Sequence, residues 1–212
     1  MPKQTAKQEE LTKIISELEK KCAEMPNNVP AHHHLALVYR KAGRTDDAVR
    51  ALEKCLELDD QAVEAYINLG AIYFEQGTLD QALKANQNAL RIRPEMAQAH
   101  NNIGLIKQRL GDPAPAIAAY EQAIRYDPKM INAWVNIASC QIMAGDFELA
   151  AKAAREAIKI DPTFGMAYNN LAVTLYYQEQ YPEAKKALTT AQELNYSVDP
   201  RFLQAIDHAL SL

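Results

Sequence analysis

The sequence predicts an all-α protein made of helical hairpins stacked in a row. Alanine recurs every 34 residues at Ala48, Ala82, Ala116, Ala150 and Ala184. Gly43, Gly77, Gly111 and Gly145 hold the same register, as do Pro94, Pro128 and Pro162. The composition is rich in good helix formers and contains only seven glycines, too few for many short strands and their turns. A fixed period of this length marks supersecondary units that bury their apolar faces only against their neighbours.

Residues 1–28 read as an N-terminal capping helix. Its helical stretch, 5–25, opens on a T-x-x-Q capping box at Thr5 and Gln8 and buries Leu11, Ile14, Ile15, Leu18 and Cys22. Pro26 closes it. Five units follow, at 29–62, 63–96, 97–130, 131–164 and 165–198. In each, an apolar pattern of helical spacing runs to the Gly column, which ends the first helix, and a second helix runs toward the Pro column.

A branched aliphatic column (Leu35, Leu69, Ile103, Ile137, Leu171) is always followed by a small residue: Ala36, Gly70, Gly104, Ala138, Ala172. Cys55, Ala89, Ala123, Ala157 and Ala191 form another small column. Small residues in register mark places where two helices approach closely. The end units depart from the pattern, with Asp60 for Pro in the first and Glu179 for Gly and Tyr196 for Pro in the fifth. Residues 199–212 read as a C-terminal capping helix with Asp199 as N-cap, Pro200 at the first helical place, and Phe202, Ala205, Ile206, Ala209 and Leu210 on one face.

Several function classes are disfavoured. A net charge of −4 gives no basic face for nucleic acid or an anionic membrane. The longest charge-free stretch, 162–178, is shorter than a membrane span and contains two asparagines. The N-terminus has no apolar core of a secretory signal, and Cys22, Cys55 and Cys140 are scattered, so reduced thiols in a cytoplasmic setting are expected. The sequon Asn195-Tyr196-Ser197 is then a chance match. No phosphate loop, H-E-x-x-H or G-x-S-x-G occurs, so neither enzyme activity nor a cofactor is expected. The run His32-His33-His34 does not suggest a metal, because successive helical residues point about 100° apart. His32 falls in a packing column with Tyr66, His100, Trp134 and Tyr168.

The stretch AYINLGAIYFEQGTLDQALKANQNALRIRP, 65–94, resembles the tetratricopeptide repeat (TPR) family: the aromatic, Leu-Gly, Tyr, Gly, Ala, Ala and Pro landmarks stand in family order. The resemblance extends over residues 29–198 and implies a right-handed superhelical solenoid of TPR hairpins. First helices would line its concave face, with the sixth residue of each unit pointing into the groove. Those residues are Asn68, Asn102, Asn136 and Asn170, with His34 in the first unit. A similar column in the superhelix of the O-linked N-acetylglucosamine transferase grips the backbone of extended peptides.

A peptide-binding groove would add Asn101, Asn169, Ile142, Met143, Tyr176 and Tyr177 as neighbours, changing from polar to apolar and aromatic toward the C-terminal end. One carboxamide can meet both the N–H and the C=O of a peptide unit. Replacing Asn102, Asn136 and Asn170 by Ala would then weaken binding and leave folding intact. The other role open to the amides is to bond a neighbouring helix, and the apolar positions can equally be covered by the following repeat or the tail helix. The family's carboxylate clamp fails here, since of His33, Leu37, Asn68, Gln98 and Asn102 only Asn68 fits. The expected partner is a protein or peptide, with a self-assembling scaffold, a homo-oligomer, as the alternative.

Overall fold

In the first four hairpins the first helix ends one or two residues before the column glycine, which interrupts the apolar periodicity. The computed structural model describes the backbone of residues 2–211 and the side chains of residues 9–211. Among the described residues there are twelve α-helices and no strand, in agreement with the all-α expectation. The chain divides into two units, Met1–Glu95 and Met96–Leu212.

The first unit contains α1 (Pro2–Glu24), α2 (Val29–Lys41), α3 (Thr45–Leu58), α4 (Val63–Glu75) and α5 (Leu79–Ile92). Helix α1 begins at Pro2, so Thr5 lies inside it and not at its N-cap. The side chains of the proposed Thr5–Gln8 box lie outside the described residues. Leu11, Ile15, Leu18 and Cys22 of α1 are buried in one cluster with Leu35 and Tyr39 of α2 and Leu52 and Cys55 of α3. The Tyr39 hydroxyl donates to Glu19 at 2.7 Å, tying α1 to α2. Burial, reinforced by the Glu19 carboxylate, pushes the Tyr39 phenol up to about 12, so it remains a donor at neutral pH. The Asn28 side chain accepts from Ala31 N at 3.0 Å and caps α2, a role the repeat pattern had not marked.

The second unit contains α6 (Ala97–Arg109), α7 (Pro113–Tyr126), α8 (Ile131–Ala144), α9 (Phe147–Ile160), α10 (Gly165–Tyr177), α11 (Tyr181–Glu193) and α12 (Pro200–Ala209). Helices α6 and α7, α8 and α9, and α10 and α11 pack as hairpins. Tyr120, Ile137, Cys140 and a set of alanines from α7, α8 and α9 form one core, and α10, α11 and α12 close another around Leu175, Leu188 and Ile206. Asp199 Oδ1 accepts from Arg201 N at 2.9 Å, the cap expected for α12. The inward side of α12 is Phe202, Leu203 and Ile206. Leu210, expected on that face, is exposed because the helix ends at Ala209 and leaves Leu210 as the C-cap.

The four column glycines have φ between +75° and +83°, a left-handed conformation that a Cβ makes costly. In the fifth hairpin Glu179 occupies the same place at φ +60°. Glu179→Gly relieves about 1–2 kcal/mol of backbone cost and incurs somewhat less in unfolded-chain entropy. The variant is expected to gain about 0.5–1 kcal/mol in a urea melt. No gain would mean that contacts of the Glu179 side chain, and not the column's backbone demand, hold this turn.

Candidate functional site: the faces of the first helices

A 34-residue repeat places a residue of one first helix beside the residue 35 positions later in the next. Asn68 Nδ2 lies 3.0 Å from His33 Nε2 and also donates to Glu64 O at 2.9 Å. Two helical turns further along the same pair of helices, Arg40 bonds Glu75. In the second unit, Asn136 Nδ2 donates to Asn101 Oδ1 at 3.3 Å, and Asn170 Nδ2 donates to Val135 O at 3.1 Å. Each of these contacts spans 35 residues. Three amides of the column, Asn68, Asn136 and Asn170, therefore link a first helix to the one before it through their NH2 groups.

Burial lowers the His33 pKa, although Glu64 opposes the shift, and the neutral ring can accept the Asn68 amide N–H through Nε2. Asn102 is buried, and its Oδ1 accepts from Gln98 Nε2 at 2.9 Å. His32 and Trp134, from one packing column, each reach the carbonyl six residues upstream, Pro26 O and Pro128 O respectively, at 2.9 Å. The three histidines thus do different work, with His34 exposed. Among the described residues no group of three His, Cys, Asp or Glu is placed to hold a metal ion.

The remaining expected groove residues separate into two sets. Asn101 is buried and occupied by Asn136, so it is a helix-linking residue and not an open flank. Tyr176 turns toward the tail, with its ring 5.5 Å from both Tyr181 and Phe202. Asn169 and Ile142 are half-buried. Met143 and Tyr177 remain open, at 62% and 57% exposure, together with Met166 at 39%. Tyr177 stacks on Phe147 at 4.7 Å, a partner missed because Phe147 belongs to the second helix of the preceding hairpin. The 35-residue offset could have been found in the sequence, since the pairs 33–68, 101–136 and 135–170 join two adjacent columns.

The interhelix bonds of Asn136 and Asn170 bear on the expectation that alanine at these positions leaves folding intact. Asn136→Ala with Asn170→Ala removes two interhelix bonds worth about 0.5–1.5 kcal/mol each, against roughly half a kcal/mol gained per site in helix propensity. The double variant is expected to lose about 1 kcal/mol in a denaturant melt, while Asn132→Ala, an exposed control, loses nothing. Equal stability of all three proteins would remove the helix-linking role.

Comparison with known proteins bears on the fold these faces belong to. Family models described as Tetratricopeptide repeat match residues 61–129, 101–163 and 153–186, and one described as TPR repeat matches 36–77. PilW, a widely conserved type IV pilus biogenesis factor, is 25% identical with a TM-score of 0.76, the match covering 86% of each chain. MamA is 25% identical with a TM-score of 0.67, over 74% of this chain and 92% of its own. YrrB, a TPR protein with an unusual peptide-binding site, shares the fold at 22% identity and a TM-score of 0.67, over 92% of this chain and 98% of its own. No curated protein matches the chain. Overlapping family matches run from residue 36 to 186 and the structural relatives share the fold: the chain belongs to the tetratricopeptide repeat family.

Proposed function

We propose that this chain is a protein–protein interaction module that holds an extended segment of a partner protein against the first-helix faces. The observation that carries this is the set of large apolar side chains left open on α8 and α10, namely Met143, Met166 and Tyr177. Solvent-facing apolar side chains grouped on neighbouring helices suit the anchors of a bound segment. The peptide-binding site named for YrrB, a relative of the same fold, supports the assignment. Binding without catalysis is the role proposed, and a cytoplasmic setting fits the three buried free thiols. No helix among the described residues is long and apolar enough to cross a membrane.

Selection of displayed random peptides on the full chain tests this directly. Peptides are expected that lose at least ten-fold in affinity against Met143→Ser/Tyr177→Ser, a variant at exposed positions that leaves the core untouched. Failure to select any peptide, or affinity unchanged by the variant, would refute the assignment. Sedimentation over a range of concentrations checks the scaffold alternative, for which mass grows without added partner.

A further inference from the structure

We infer that the open ring of Tyr177 seats an arginine side chain of the partner segment, with the carboxylates of the neighbouring turns as its counter-charges. This rests on the binding role above and adds the chemistry of the ligand at that face.

Stacked rings build the seat. Tyr177 lies against Phe147 with the two ring planes 9° apart, and Tyr176 meets it edge-on at 5.7 Å. One face of the Tyr177 ring is therefore covered, yet the residue is still 57% exposed. The repeat does not demand an aromatic there. The equivalent residues of the first three hairpins are Lys41, Glu75 and Arg109, all charged. The Phe147 column likewise holds Thr45, Leu79 and Pro113 in those hairpins, and Tyr181 in the fifth. The ledge of Met143, Phe147, Tyr177 and Tyr181 is thus confined to the last two hairpins, where packing of the repeat alone does not account for it.

Charge chooses the occupant. Residues 130–151 and 160–184 contain no Lys, Arg or His, but they carry Asp146, Glu148, Asp161, Glu179 and Glu183. Asp161 stands at the far end of α9. The other four are exposed at the turns beside the ledge: Asp146 precedes Phe147, and Glu179 follows Tyr177 by two residues. Among the described residues, only Glu148 of these four has an ion-pair partner, Lys152 at 2.9 Å. The face of an aromatic ring is itself negative, so ring and carboxylates favour a cation in the same place. Arginine fits better than lysine, because its flat guanidinium stacks on a ring while its N–H groups still reach a carboxylate. The first unit already contains this arrangement. The Arg44 guanidinium lies 4.3 Å over the Tyr39 ring and bonds both Asp47 and Glu19.

The test uses the full chain and a library of synthetic ten-residue peptides, acetylated and amidated at their ends. Bound peptides should be enriched in Arg and depleted in Asp and Glu. Replacing the arginine of the tightest binder by citrulline, which keeps its shape and removes its charge, should weaken binding about ten-fold. Lysine in its place should weaken it less. Tyr177→Phe should bind the arginine peptide as the unaltered chain does. Tyr177→Leu and Glu179→Gln, both at exposed positions, should weaken the arginine peptide several-fold more than its citrulline form. Bound peptides without arginine, indifference to citrulline, or equal losses of both forms in the two variants would overturn the inference while leaving peptide binding standing. Absence of any bound peptide would bring down the binding role itself. Self-association without peptide would identify a second copy as the occupant and overturn the inference as well.

Discussion

Deletion of residues 199–212 is expected to lower the unfolding free energy of the second unit by about 3–5 kcal/mol. Ile206 is fully buried, and full burial of such a side chain contributes about 1.5–3 kcal/mol. Phe202 and Leu203 are half-buried against Leu175, Tyr176 and Leu188, and together add roughly 2 kcal/mol. The exposed pair Lys185–Asp207, at 2.7 Å, contributes little beside these. Repeat arrays gain stability from nearest-neighbour interfaces, so the loss should fall first on α10 and α11. Amide hydrogen exchange should therefore quicken there before it does in α8. Ile206→Ala alone should reproduce roughly half the effect. A truncated chain of unchanged stability and exchange would show that α12 does not cap the last hairpin.

The tail also shows where sequence alone was sufficient and where it failed. Asp199, Pro200 and the apolar spacing located α12 correctly, because capping and periodicity are local properties. Which residues of that helix turn inward depends on the groove that α10 and α11 present, so Leu203 was missed and Leu210 wrongly included. The first helices repeat the lesson. A column of asparagines and the column before it are both visible at a spacing of 34, but only the packing of successive hairpins shows that Asn68, Asn136 and Asn170 bond residues 35 positions earlier. Tyr176 and Tyr177 are indistinguishable as neighbours in a sequence. Only the aromatic cluster reaching to Phe202 shows that Tyr176 packs on the tail while Tyr177 stays open.

Gly104→Ala is expected to destabilise the second unit by about 1–3 kcal/mol, although alanine is the better helix former by about 1 kcal/mol. A Cβ at Gly104 would stand 2.4 Å from Tyr120 Cε1 and 2.5 Å from Cδ1. Tyr120 has no room to withdraw: it is completely buried, and its hydroxyl donates to Gln108 Oε1 at 2.8 Å. Desolvation also raises its pKa well above the ordinary phenol range, so the hydroxyl remains protonated and the bond persists. Moving the ring would both break that bond and disturb the alanines packed around it. The same offset of 16 residues pairs Gly70 with Asn86, whose Nδ2 would lie 2.2 Å from an added Cβ. In the other hairpins the small column holds Ala36, Ala138 and Ala172, and the residues 16 positions on are Leu52, Ala154 and Leu188. Glycine thus appears opposite Tyr120 and Asn86, and alanine opposite aliphatic side chains. If that size matching is the cause, Gly104→Ala should cost far less when Tyr120 is already leucine. A double-mutant cycle is expected to show a coupling of at least about 1 kcal/mol, and strictly additive changes would rule the ring contact out as the reason for glycine at 104.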